Sequence, residues 1–114
     1  MDDNGTVQEL KARISQFRDE RDWLKYDTPK NLAISISVEA AELLEHFQWK
    51  TDQQVSMLLR DETKMNEVSE ELADVIIYCL GFSDVLHIDV SEAVERKLNK
   101  NREKYPTTKP QLAT

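Results

Sequence analysis

Cysteine is nearly absent. Cys79 stands alone, so the chain can build no internal disulfide framework and suits a reducing, cytoplasmic compartment. Glycine and proline are scarce, two and three residues among 114, where average usage is about 12% for the pair. A chain that turns so rarely excludes a many-stranded β-sandwich. Long apolar runs are missing as well. The longest uncharged one, Val75 to Phe82, falls far short of the ~20 residues that cross a bilayer, and no membrane partner is expected. The opening Met1-Asp2-Asp3-Asn4-Gly5 is acidic and has no signal-peptide pattern. Positive charge is in deficit too: 15 Lys and Arg against 22 Asp and Glu leave −7. That balance excludes a binder of nucleic acid polymers, whose footprint is basic. It admits a small polyanion if divalent cations stand between.

What the chain does have is helical periodicity. Thr6-Val7-Gln8-Glu9 reads as a capping box that starts a helix near Val7, and Val7, Leu10, Ile14, Phe17 and Leu24 then recur at helical spacing. That helix is expected to fail near Tyr26. Thr28 suits an N-cap and Pro29 a first helical position, opening a second helix that runs to about Trp49 with Leu32, Ile36, Leu43 and Phe47 as its stripe. Between Lys50 and Glu62, Val55, Leu58 and Leu59 suggest one short helix in a connecting loop. A third main helix is expected over about Thr63–Leu86. Its second half is apolar nearly all round, with Val75, Ile76, Ile77, Cys79, Leu80 and Phe82, which predicts deep burial. Asp89-Val90-Ser91-Glu92 starts a fourth, ended by Pro106. The expected fold is all-α, an antiparallel four-helix bundle. Residues 1–106 form one domain and 107–114 a flexible tail. So apolar a helix in so short a chain predicts a homo-oligomer, a dimer at least.

Four carboxylates sit where apolar packing is expected. Glu39 and Glu42 lie in the second helix, Glu71 and Asp74 in the third. Each pair is spaced i, i+3, which puts both side chains on one helix face. At about 5.5 Å and an effective dielectric near 20, each like-charge pair costs roughly 3 kcal/mol. The acids must take up protons, face water or share a cation. Acidic pairs usually line a solvated face, and Glu9, Glu45, Glu67, Glu70, Glu92 and Glu95 are read that way. For the other four, an all-oxygen set without His or Cys favours Mg²⁺, with Mn²⁺ as a substitute, over zinc.

Glu39-x-x-Glu42, a spacer covering 43–70, and Glu71-x-x-Asp74 resemble the signature of the MazG-like all-α nucleoside triphosphate pyrophosphohydrolases. Arg21-Asp22-Trp23, Pro29-Lys30-Asn31-Leu32, Phe47-Gln48-Trp49-Lys50, Glu70 through Tyr78, and Asn101-Arg102-Glu103-Lys104-Tyr105-Pro106 are similar, in collinear order, to the dCTP pyrophosphatase branch. The resemblance implies hydrolysis of a nucleoside triphosphate to monophosphate and pyrophosphate, in a homo-oligomer built as a dimer or a dimer of dimers. It implies Mg²⁺ held by Glu39, Glu42, Glu71 and Asp74, with Glu42 or Glu71 as the catalytic base. The substrate is expected to be dCTP, or dATP, and the purpose cleaning of the nucleotide pool.

Substrate contacts follow from the same positions. Lys97, Asn101 and Lys104 share a face of the fourth helix and are phosphate-contact candidates, where a plain basic helix end is the alternative. Lys50 is a further candidate; Lys100 and Arg102 read as surface. Trp23, Trp49 and Tyr78 are candidates for the base, with Tyr78 one turn beyond Asp74, while Phe47 reads as packing. Asn31 is placed to bond a base or sugar. The branch often has His where this chain has Asp27, and an ionised Asp cannot donate a hydrogen bond, so base preference is expected to shift. His46 and His87 form no ligand pattern, and Cys79 is expected to pack without doing chemistry.

Two readings compete with the hydrolase. A di-iron or di-manganese bundle wants Glu-x-x-His on two helices; only Asp84-x-x-His87 comes near, once. A non-catalytic helical interaction or regulatory module, such as an antitoxin-like dimer, needs only amphipathic helices and would tolerate loss of Glu39 or Asp74.

Overall fold

The computed structural model describes residues 1–107. They form five helices in the order α1 (Val7–Glu20), α2 (Pro29–Glu45), α3 (Asp52–Leu58), α4 (Glu62–Val85) and α5 (Val90–Lys104), with no strand among the described residues. The all-α expectation holds, including the short helix in the α2–α4 connection. Of the expected tail, residues 108–114 lie outside those described.

Every helix starts on a side-chain cap. The hydroxyls of Thr6, Thr28 and Thr51 accept from the backbone N–H of Glu9, Asn31 and Gln54, and the carboxylates of Asp61 and Asp89 do the same for Lys64 and Glu92. The full reciprocal box forms at Thr51, where Gln54 returns a bond to the Thr51 N–H at 2.9 Å.

Three helix ends depart from, or sharpen, the sequence reading. α1 stops at Glu20, well before Tyr26, because Asp22 turns left-handed (φ 56°). The Trp23 N–H then bonds the Arg18 carbonyl at 3.1 Å and the Asp22 N–H bonds the Asp19 carbonyl at 3.1 Å, a Schellman closure. α4 ends the same way, with His87 at φ 55°, Ile88 N–H on the Ser83 carbonyl at 2.8 Å and His87 N–H on that of Asp84 at 3.2 Å. With only two glycines in the chain, both left-handed positions fall to side-chain-bearing residues. α2 ends at Glu45 rather than Trp49, and 46–49 unwind through turns in which the Phe47 and Gln48 N–H groups both bond the Leu44 carbonyl.

α2 packs along α4, and α1 packs on α4 as well. α1 is held by polar clasps. Asp84 accepts from Ser15 Oγ at 2.9 Å and from Arg18 at 3.0 Å. Burial alone would raise the Asp84 carboxyl, but the Ser15 hydroxyl and the Arg18 guanidinium together hold it below the usual carboxylate range. Further along, the buried Lys11 ammonium donates to the Ile88 carbonyl at 2.6 Å, near the negative end of α4.

The deep burial expected for α4 is not reached within one chain. Leu32 and Leu80 are the buried apolar side chains among the described residues, whereas Leu72, Ile76 and Ile77 stay 49, 42 and 43% exposed and Cys79 is exposed rather than packed. α5 does not close against the other helices, and its Val94 and Leu98 face solvent. The radius of gyration is 17.4 Å, where a compact chain of this length has about 13 Å. The accessible surface is 9361 Å², against roughly 6,500 Å² for a compact monomer of this mass. Helices formed by local signals have here more apolar face than one another's surfaces can cover.

Candidate active site

α2 and α4 run side by side so that the later part of α2 faces the earlier part of α4. Residues 39 and 42 are one turn apart on α2, and both turn toward α4. One carboxylate oxygen each from Glu39, Glu42 and Glu71 lie within 4.8 Å of one another. The Oε2 atoms of Glu39 and Glu71 are out of water and have no hydrogen-bond partner. No ion pair reaches any of these three acids, or Asp74, among the described residues. Buried polar atoms are ordinarily satisfied, so this arrangement stores an electrostatic cost.

The cost is visible in the Glu39 carboxyl, which is pushed up to about 7. Burial is the largest cause. The carboxyls of Glu42 and Glu71 beside it come next, followed by the negative charges of Glu42 and Asp74. As a carboxylate, Glu39 finds no donor; as an acid, it can share its proton with Glu42 or Glu71. Asp74 stands one turn beyond Glu71. It is not part of the three-acid group, but its charge acts on both Glu39 and Tyr78.

A divalent cation fits this donor set. All three donors are hard oxygens, the residue type that Mg²⁺ and Mn²⁺ prefer. Opposite ligands around Mg²⁺ stand about 4.2 Å apart, so oxygens already within 4.8 Å need only small side-chain adjustments. A cation there would give the Glu39 and Glu71 carboxylates the charge partner they lack.

Of these acids, Glu42 and Glu71 line a cavity of about 730 Å³. Glu42, Glu45, His46 and Lys50 line it from α2 and the turn after it, Leu58 from α3, and Lys64, Glu67 and Glu71 from α4. Lys50, a phosphate-contact candidate, stands at the cavity wall. Glu45 and Glu67, read from sequence as solvated surface, line it too. Lys64 joins them, and no motif in the sequence points to it, although the spacing 64, 67, 71, 74, 78 places it on the face of α4 that carries the acids.

The remaining candidates are distributed elsewhere. Tyr78 is half-buried two turns beyond Glu71, and its hydroxyl is raised by burial first and then by the charges of Glu39, Asp74, Asp27 and Glu42. Asp27 therefore belongs to the same electrostatic neighbourhood. Trp23 meets Phe17 edge-on at 5.7 Å and does not line the acid cavity. Asn31 spends its side-chain amide on the Tyr26 carbonyl at 2.9 Å, which ties the α1–α2 connection to α2. Trp49 is 86% exposed beside Lys50. Lys97, Asn101 and Lys104 lie on α5, away from the cavity of their own chain, and Lys104 leans on the Tyr105 ring. His87 ends α4 and joins no carboxylate group.

A family model described as the MazG-like family matches residues 34–112. The chain belongs to the MazG-like family. The match takes in all four acids, Tyr78 and α5; Trp23 and Asn31 precede it. Among curated relatives, dCTP pyrophosphatase 1 of Mus musculus is 34% identical over 101 residues, which are 89% of this chain and 59% of that protein. The Homo sapiens protein of the same name gives the same identity and coverage. This MazG-like chain thus spans about 59% of the length of the curated relatives it matches. A crystal structure of a pyrophosphatase from Archaeoglobus fulgidus superposes with a TM-score of 0.78 at 52% identity, covering 88% of this chain and 92% of the other. The five-helix arrangement is that of a MazG-like pyrophosphatase fold.

Proposed function

We propose that this MazG-like chain is a nucleoside triphosphate pyrophosphohydrolase that converts a deoxynucleoside triphosphate, dCTP or dATP, to the monophosphate and pyrophosphate. The observation that carries the reading is the group formed by Glu39, Glu42 and Glu71, with two oxygens that lack any donor. The relatives named for dCTP pyrophosphatase activity and the Archaeoglobus pyrophosphatase support the same reading.

Mg²⁺, or Mn²⁺ in its place, would supply charge neutralisation of the phosphates and an acidified water. Glu39, Glu42, Glu71 and Asp74 are the residues that would hold it. Glu42 or Glu71 accepts the proton of the water that attacks the α-phosphorus, and pyrophosphate leaves. Lys50, at the cavity wall, meets phosphate charge. Tyr78, with Trp23, Asn31 and Trp49, serves the nucleoside, and Asp27 biases the base. A carboxylate accepts hydrogen bonds, so it favours bases that present an amino group, as cytosine and adenine do. Lys97, Asn101 and Lys104 complete the phosphate contacts when copies of the chain assemble.

The assembly is a homo-oligomer, a dimer or a dimer of dimers, which covers the exposed Leu72, Ile76 and Ile77 of α4. Residues 1–106 act as one domain. No described helix is long and apolar enough to cross a membrane, and a cytoplasmic role in clearing the nucleotide pool fits the chemistry.

The test is pyrophosphate release across the ribo- and deoxyribonucleoside triphosphates, with and without Mg²⁺. Monophosphate plus pyrophosphate from dCTP or dATP, dependent on the cation, is expected. Stepwise loss of single phosphates rejects the mechanism. Silence over the whole panel returns the chain to the interaction-module reading.

A further inference from the structure

The polar stripe of α4 does not end at the acids. Lys64, Glu67, Glu71, Asp74 and Tyr78 recur at intervals of three and four, so all five share one helix face. At 1.5 Å per residue, Lys64 lies about 10 Å along the axis from Glu71 on one side, and Tyr78 lies about 10 Å away on the other. Lys64, Glu67 and Glu71 all line the acid cavity, and Lys50 faces them from the turn after α2.

Lys64 occupies a poor place for a lysine that serves only stability. It sits in the first turn of α4, where its N–H bonds the Asp61 cap and where the helix dipole disfavours a cation. Its ammonium is 3.4 Å from Glu67 Oε2 in a half-exposed i, i+3 pair, with the lysine preceding the acid, the weaker of the two orders. Neither the dipole nor the pair accounts for the residue. Its position does: it places a positive group on the wall of a cavity to which Glu42, Glu45, Glu67 and Glu71 contribute four carboxylates, alongside His46, Lys50 and Leu58.

We infer that Lys64 binds the terminal phosphates of the triphosphate, the part released as pyrophosphate, and that Glu67 holds the ammonium when the cavity is empty. The substrate then lies along α4 with its nucleoside toward Tyr78, its α-phosphate at Glu71 and its terminal phosphates at Lys64. This inference rests on the hydrolase reading above. Binding exchanges one carboxylate partner for a more highly charged phosphate, which makes the stronger charge-assisted hydrogen bond.

The experiment compares wild type with Lys64→Gln, Lys64→Arg and Glu67→Gln. The readouts are kcat and KM for the triphosphate and calorimetric binding of inorganic pyrophosphate with Mg²⁺ and of Mg²⁺ alone. Losing one charge-assisted contact should raise KM and weaken pyrophosphate binding about tenfold or more in Lys64→Gln. Lys64→Arg should recover most of that loss, and binding of Mg²⁺ alone should not change. Glu67→Gln should instead tighten pyrophosphate binding, because the ammonium loses its resting partner; a merely structural pair would make the two Gln variants fail alike. KM and pyrophosphate affinity within twofold of wild type in Lys64→Gln would overturn the inference while leaving the hydrolase reading intact. If wild type cleaves no triphosphate, the hydrolase reading fails; Lys64-dependent pyrophosphate binding would still support the subsite, and absence of that binding in wild type would overturn both.

Discussion

Glu39 on α2 and Glu71 on α4 face each other across the interhelical seam, each with an Oε2 atom buried and without a donor. Two helices have been brought together at a point where like charges oppose their approach. A protein tolerates such a cost where a bound cation removes it.

Glu42→Gln and Glu71→Gln should each lower pyrophosphate release by at least about a hundredfold, since general-base assistance alone contributes that much. Helical circular dichroism should be unchanged. Full turnover in Glu42→Gln would remove that residue from the site.

Metal-free stability should depend on pH through Glu39. Its carboxyl is raised from an ordinary value of 4.5 to about 7, so the folded state binds more protons than the unfolded one between those values. Stability therefore falls as pH rises through that window, and the cost is fully present above it. Melting in chelator at pH 5, 6, 7 and 8 should show the decline, and Mg²⁺ should raise the midpoint more at pH 8 than at pH 5. Glu39→Gln should flatten the profile.

The clasp between α1 and α4 predicts the opposite acid behaviour. The Asp84 carboxyl is held below its ordinary value, so its contribution is present above the unfolded pKa and is lost as pH falls through the folded one. Asp84→Asn should destabilise the fold by about 1.5–3 kcal/mol, the range for a hydrogen bond to a charged group. Arg18→Met should cost a similar amount, and the double variant less than the sum. Denaturant unfolding at neutral pH measures all three; additivity would show that the two side chains act independently.

Asp22 and His87 hold left-handed conformations at helix ends. Glycine adopts that region without the Cβ penalty, which is about 1 kcal/mol for other residues. Asp22→Gly and His87→Gly should each raise the melting midpoint by a few degrees. A fall at His87 would mean that its imidazole makes a contact worth more than the strain.

The helices themselves were legible in local chemistry. Thr6, Thr28, Asp89 and Pro29 mark helix starts because capping is settled within four residues. The i, i+3 acids within apolar helices stood out for the same reason, and Glu39, Glu42 and Glu71 among them come together in the fold. Helix ends were harder to read. No glycine announces the Schellman closures at Asp22 and His87, so α1 was expected to run several residues too far.

By itself, then, the sequence determined which segments are helical and which acids share a helix face, since both depend on neighbours along the chain. Only the tertiary structure decided that Glu39 and Glu42 meet Glu71 in the three-acid group while Asp74 stands a turn away, that Glu45, Glu67 and Lys64 join the cavity wall, and that α4 keeps an apolar face uncovered. Those outcomes depend on how far α2 slides along α4 and on how little surface α1 and α5 offer it. Packing of that kind is a property of pairs of helices, and no single segment encodes it.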